Sequence, residues 1–335
     1  MKKSLIFCAA LLASAFAFQS CDQVKSDNPA TVDEATYDLQ NLTFAQYIEK
    51  HAVDGILTLP ADAKVTINEA LELTEPLIIV GDEKNPAKIV AKAGFVTTNA
   101  ISIKNVKIDA SEVTTPFIKM NTLPTEGLNE AGAFEVEEIT FDGVTVDGLK
   151  NQLFYANKQK YLIKNLNIVN STINIVGASK KTVLDFNSGG FPMNVNIQNS
   201  TIAADEATEW QNGGLFSTQS GAKNTDVSTA EDFKHVFTIE NSKLTNIAKS
   251  KTLCSLRQNN QAWQYYVVKD NTIANCGKSG QFLKGLVAGQ NVNKKENWTA
   301  SGNTITFDGV NVGADENKNS GIEGACIVPE TPAAE

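Results

Sequence analysis

Histidine and arginine are almost missing from this chain. It has two histidines, His51 and His235, and a single arginine, Arg257. The histidines stand far apart in sequence, so a catalytic histidine pair is not expected. The five cysteines include none at zinc-ligand spacing. Basic charge is also in deficit. The formal net charge of −9 argues against nucleic acid, which selects for basic faces. Beyond the N-terminus no apolar run is long enough to span a bilayer. Cofactor binding is not predicted from any motif.

What the chain does have is an eight-position pattern, repeated seven times: apolar, any, apolar, any, Asn/Asp/Gly, any, any, apolar. The copies are Ile101–Ile108, Ile139–Val146, Leu166–Ile173, Val195–Ile202, Phe237–Leu244, Tyr266–Ile273 and Trp298–Ile305. A partial copy begins at Leu77. Successive starts differ by 38, 27, 29, 42, 29 and 32 residues, which marks a repeat architecture. Each copy opens with period-two alternation rich in β-branched residues, the signature of a strand with one buried face. The fifth position is Asn105, Gly143, Asn170, Asn199, Asn241, Asp270 and Gly302. These residue types tolerate a left-handed backbone, so the chain should turn there and begin a second strand. Asn170, Asn199 and Asn241 should stack and hydrogen-bond along the repeat. A third apolar segment follows most copies: Phe117-Ile118, Leu153-Phe154, Val183-Leu184, Leu215-Phe216, Leu253-Cys254 and Phe282-Leu283.

Three short strands per turn define an all-β solenoid, a right-handed parallel β-helix. On these motifs the chain resembles the parallel β-helix superfamily that includes pectate lyases, over roughly residues 56–327. That superfamily hosts lyases, hydrolases, esterases, adhesins and binding modules, so the resemblance implies a fold and not an activity. A short helix over Leu42–Lys50, with Thr43 and Gln46 as a capping box and Phe44, Tyr47 and Ile48 as its apolar stripe, is expected to cover the first turn.

The N-terminus reads as a secretion signal, with Lys2 and Lys3 ahead of an apolar run from Leu5 to Phe18. Ser20-Cys21 at its end resembles the bacterial lipoprotein processing box, although Phe18 replaces the usual leucine. Cys21 would then carry the lipid; ordinary cleavage after Ala17 is the rival. The predicted organisation is a signal peptide over 1–20, a tether over 21–40, the β-helix with its cap over 41–328 and a tail over 329–335. The expected address is the outer membrane, with lipid as the only membrane attachment. Cys254 and Cys276 read as buried small hydrophobes, with a disulfide or metal pair as the alternative.

Aligning the third strands gives an inward column of Ile118, Phe154, Leu184, Phe216, Cys254 and Leu283. The next position must face outward. It reads Lys119, Tyr155, Asp185, Ser217, Ser255 and Lys284. Two positions on come Asn121, Asn157, Asn187, Gln219, Arg257 and Leu286. This predicts a polar strip, with the long loops near 119–138 and 217–236 as its walls. A glycan needs many hydroxyl partners and some aromatic surface. The strip supplies the former, and Trp210 and Trp263 are candidate rings. Candidate ligand contacts are therefore Lys119, Asn121, Tyr155, Asn157, Asp185, Asn187, Arg257 and Lys284.

Three functions stay open: a non-catalytic glycan- or surface-binding lipoprotein, a polysaccharide lyase, and an adhesin or spacer with a protein partner. A lyase needs a base and cations for the developing anion, which Arg257, Lys119, Lys284 and Asp185 would supply, with calcium as its metal. A β-helix hydrolase would need facing carboxylates, and the strip offers only Asp185. The lipoprotein box, the rigid solenoid, the Asn-rich strip and the lack of a convincing catalytic set support the first reading, and the chain resembles Gram-negative surface lipoproteins with β-helix domains of unassigned function.

Overall fold

A computed structural model describes residues 34–176, 181–186, 189–205, 214–218, 224–248, 253–255, 264–277, 283–284 and 298–312. Three sheets run the length of this region. The first has nine strands, from Ile56–Thr58 through Ile101–Lys104 and Tyr161–Val169 to Trp298–Ser301. The second has ten, beginning at Lys64–Ile67, and the third has eight, beginning at Leu71–Leu73. The chain visits first, second and third sheet in order and then returns, so every neighbour is one turn away. Among the described residues the strands of these sheets pair in parallel except the last in the second sheet, where Val310–Asn311 folds back on Thr304–Phe307. This is a parallel β-helix.

The repeat aligns in register. Ile101, Ile139, Leu166, Val195, Phe237, Tyr266 and Trp298 pair in succession along the first sheet. The predicted turn residues all adopt positive φ, between 48° and 54° at Asn105, Asn170, Asn199, Asn241 and Asp270, and 64° and 66° at Gly143 and Gly302. Glycine has a second reason at those two sites. A β-carbon at Gly143 would collide with Asn105 Oδ1 of the turn before, and one at Gly302 with Asp270 Oδ1. The interior is one continuous apolar core, with Ile103, Phe141, Ile168, Ile197, Ile239 and Val268 stacked and fully buried.

The expected stack on the fifth position forms in part. Asn199 Nδ2 donates to Asn170 Oδ1 at 3.3 Å, and Asn170 Nδ2 to Asp142 Oδ1 at 3.0 Å. The longer ladder lies one residue further on and points inward. The backbone N–H of Val144 donates to Ser171 Oγ, Ser171 to Ser200 Oγ, Ser200 to Ser242 Oγ, Ser242 to Asn271 Oδ1 and Asn271 to Asn303 Oδ1, at 2.9–3.2 Å. Each side chain in turn donates to a main-chain carbonyl, as Ser171 Oγ does to Val169 at 2.7 Å. Sharp turns free backbone groups that the sheets cannot use, and this ladder satisfies them inside the core.

The cap is larger than the sequence suggests. The predicted helix is present as α2 (Phe44–His51), with both halves of its Thr43–Gln46 capping box formed. A further helix, α1 (Glu34–Asn41), stands where part of the 21–40 tether was expected. Asp38 explains it. This buried carboxylate accepts from Lys50 Nζ at 2.6 Å and His51 Nε2 at 2.7 Å, which ties α1 to the end of α2. The hydrogen bond from Lys50, then that from His51, hold Asp38 below the usual carboxylate range. The signal peptide, Cys21 and the 329–335 tail lie outside the described residues.

Candidate functional site

The third sheet sets the site. Its pairing runs Leu71–Phe95–Ile118–Phe154–Leu184–Phe216–Cys254–Leu283, which is the predicted inward column extended by two turns. Through Cys254 that column is buried; the side chain of Leu283 lies outside the described residues. The register therefore stacks Lys119, Tyr155, Asp185 and Ser217 at one outward position on successive turns, and Ser255 and Lys284 continue the same pairing. Parallel strands place such neighbours about 4.8 Å apart.

Asp185 is the best-defined member. Only 9% exposed, it faces outward yet is enclosed by its neighbours. Gln152 Nε2 donates to Oδ2 at 3.1 Å, and Ser217 Oγ to Oδ1 at 3.3 Å. These two donors fix the direction of the carboxylate. Tyr155, on the preceding turn, is half-buried. Burial first, and then the charge of Asp185, push its phenol above the ordinary tyrosine value, so it keeps its proton. Lys119 is half-buried one turn earlier and has no ion pair among the described residues. Gln152 was missed by the sequence reading. It precedes the inward Leu153-Phe154 pair, outside the column in which outward residues were sought.

The second predicted column does not continue the sheet. The strands end at Met120 and Tyr155, before Asn121 and Asn157. Asn121 spends its side-chain oxygen on the next backbone N–H, Thr122, at 2.8 Å. Asn157 has φ 55°, a left-handed turn at which alternation stops. Both stand at the rim of the strip, on chain leaving the sheet. Asn187, Gln219, Arg257, Leu286, Trp210 and Trp263 lie outside the described residues. So do the side chains of Ser255, Lys284 and Trp298, whose strand positions are described.

The two long loops were expected to wall a groove over the strip. Among the described residues they are bonded to each other. Asn129 Nδ2 donates to the Val227 carbonyl at 2.8 Å, and Thr229 Oγ1 to Glu130 Oε2 at 2.8 Å. Ala133 and Val227 join Leu162, Phe191 and Phe233 in a small apolar cluster separate from the main core. The first loop is also pinned beside the strip. Tyr161 Oη donates to the Asn121 carbonyl at 3.1 Å, and the Leu123 N–H to Gln159 Oε1 at 3.3 Å. The loops thus make one structure over the extended strands of the first sheet, bordering the strip.

Among the described residues no three His, Cys, Asp or Glu side chains come together as a metal site. A calcium ion would find one carboxylate, Asp185, on the described strip, which does not fit a site built of several oxygen ligands. Cys254 and Cys276 are free, buried thiols. Burial pushes both upward, Cys276 to about 12. They are inert small hydrophobes in this state.

Comparison with known proteins adds one match. A family model described as a domain of unknown function, DUF4957, matches residues 63–205, the first half of the β-helix. No curated protein and no solved structure matches the chain.

Proposed function

We propose that this chain is a cell-envelope lipoprotein, lipidated at Cys21, whose β-helix binds a glycan along the outward face of the third sheet without turning it over. The observation that carries the reading is the Lys119–Tyr155–Asp185–Ser217 column, with Asp185 held in place by Gln152 and Ser217. A glycan lying along the axis would meet one polar side chain per turn. Asp185 accepts from sugar hydroxyls, Tyr155 offers an apolar ring with a firmly held proton, and Lys119 favours an acidic substituent. Arg257 and Lys284 would extend the same contact. The alternative, a polysaccharide lyase, would use Arg257 or a strip lysine, Lys119 or Lys284, as base or anion stabiliser. An adhesin or spacer would use the loops and leave the strip bare.

Calorimetry against a panel of neutral and acidic glycans tests this. Asp185→Asn should cost the best ligand about 1.5–3 kcal/mol, since hydrogen bonds to a charged group are lost or weakened. Tyr155→Phe should cost less. Affinity unchanged in both variants would remove the strip as the binding face. Unsaturated products formed from a uronic-acid polymer would replace binding with lyase activity.

A further inference from the structure

We infer that a second face, the outward side of the second sheet over its first three strands, docks a linear acidic polysaccharide. The strands Lys64–Ile67, Ala87–Ala91 and Val106–Asp109 bring Lys64, Lys88 and Lys107 directly opposite one another in register. All three are exposed. The same column continues with Thr145, Thr172 and Thr201 on the next three turns.

Like charges directly opposite on neighbouring strands are destabilising. Threonine serves this column at Thr145, Thr172, Thr201, Thr272 and Thr304, with Lys243 standing alone among them, so folding alone does not call for three lysines in a row. The chain carries a net charge of −9, so a run of stacked cations is also not its average surface. Asp109 pairs with Lys88 at 3.1 Å and offsets part of the repulsion. Lys64 and Lys107 have no ion pair among the described residues.

Geometry selects the occupant. The three cations form a single file along the helix axis, spaced about 4.8 Å at the backbone. That fits a chain bearing one anionic group per unit, as a polyuronate does. A membrane surface is attracted by clusters of about four to eight cations, and this file has three. Single-stranded nucleic acid would want aromatic platforms. The neighbouring outward column offers Thr66, Val90 and Asp109 instead. The surface stands on a different sheet from Asp185 and does not depend on the strip.

The test uses the full chain with polygalacturonate, its fully methyl-esterified form, anionic phospholipid vesicles and single-stranded DNA. Polygalacturonate should bind, more weakly as salt rises, and the neutral ester should not. Replacing all three lysines by threonine should weaken binding about tenfold, at the modest value of exposed ion pairs, and flatten the salt dependence. Lys107→Thr alone should give part of that loss, which keeps the test open if the triple variant folds poorly. The loss caused by the lysine replacements should be the same in an Asp185→Asn background, which separates this surface from the strip. Equal binding by parent and triple variant overturns the inference. So does equal binding of the ester, or binding to vesicles or DNA but not to polygalacturonate.

Discussion

His235 gives the fold a pH dependence of known sign. The residue opens the strand His235–Glu240 and is fully buried. Its ring lies parallel to Phe216, with centroids 5.9 Å apart, and meets Phe191 edge-on at 4.9 Å. Nδ1 lies 2.8 Å from the Pro192 carbonyl, so that nitrogen carries the proton and donates. Nε2 is buried without a hydrogen-bond partner. A second proton would therefore place a charge between aromatic rings. Burial outweighs the help of the Pro192 and Met193 carbonyls and pushes the histidine down from 6.5 to about 4. The folded value is depressed. Above pH 6.5 both states are neutral and the group has no effect. Between 6.5 and about 4 the unfolded chain takes a proton that the native state refuses, so stability falls as pH falls. The full loss is about 3 kcal/mol, at 1.36 kcal/mol for each unit of difference, and most of it is reached by about pH 4.5. That is a sizeable part of the 5–15 kcal/mol typical of a domain. The assay is urea unfolding across this range for the parent and for His235→Leu. The variant loses the bond to Pro192, a cost independent of pH, so the two stability curves should converge on acidification. Parallel curves would refute the argument. So would an imidazole NMR titration near 6.5 that persists in a His51→Asn variant.

Other consequences concern the ladder, the turns and the address. Ser171→Ala strips the buried Val144 N–H of its acceptor and should cost about 1–3 kcal/mol in unfolding free energy; a neutral result would mean that another group accepts there. Gly143→Ala should destabilise by at least about 1 kcal/mol, from the positive φ and the collision with Asn105. Gly309→Ala shares a positive φ but meets nothing, so it should cost less, and the reverse order would refute the packing argument. Cys21→Ala should move the protein from the membrane to the soluble fraction, and a wild-type chain that takes up no fatty-acid label would argue against lipidation.

Much of the fold was legible because two short-range rules recur at every turn. Alternation names the inward residues, and a residue tolerant of positive φ names the turn. Together they fix register, and the register predicted for the third strands is the one observed from Ile118 to Leu283. The inward ladder was harder to see because the sixth position of the repeat varies in type. It is Val106 and Val144 in the early turns, Ser171, Ser200 and Ser242 in the middle, Asn271 and Asn303 later. A valine and an asparagine share nothing in a hydropathy pattern. They share a location just past a left-handed residue, where the chain bends into the core. Only the bend shows that the side chain there must fill space or accept a hydrogen bond. The α1 helix was hidden for a related reason, since the partners of Asp38 lie at the far end of the next helix.

The strip divides along the same line. Lys119, Tyr155 and Asp185 were placed by alternation, a property of the strand itself. Asn121 and Asn157 were placed by carrying that alternation past the last paired residue, where the backbone no longer obeys it. What immobilises Asp185 is not visible from its own turn. Gln152 reaches it from one turn before and Ser217 from one turn after, at sequence separations of 33 and 32 residues. In a solenoid the surroundings of a surface residue are set by the turns above and below, whose offsets change with every loop. Alternation therefore locates a face, while the polar partners along it depend on loop lengths. The same reasoning makes the lysine file on the second sheet visible only after pairing. Lys64, Lys88 and Lys107 are separated by 24 and 19 residues in sequence and become one row only when the strands Lys64–Ile67, Ala87–Ala91 and Val106–Asp109 are laid side by side. Charge on a parallel β-helix is best read down columns, where three lysines in file are a feature that the chain's net acidity conceals.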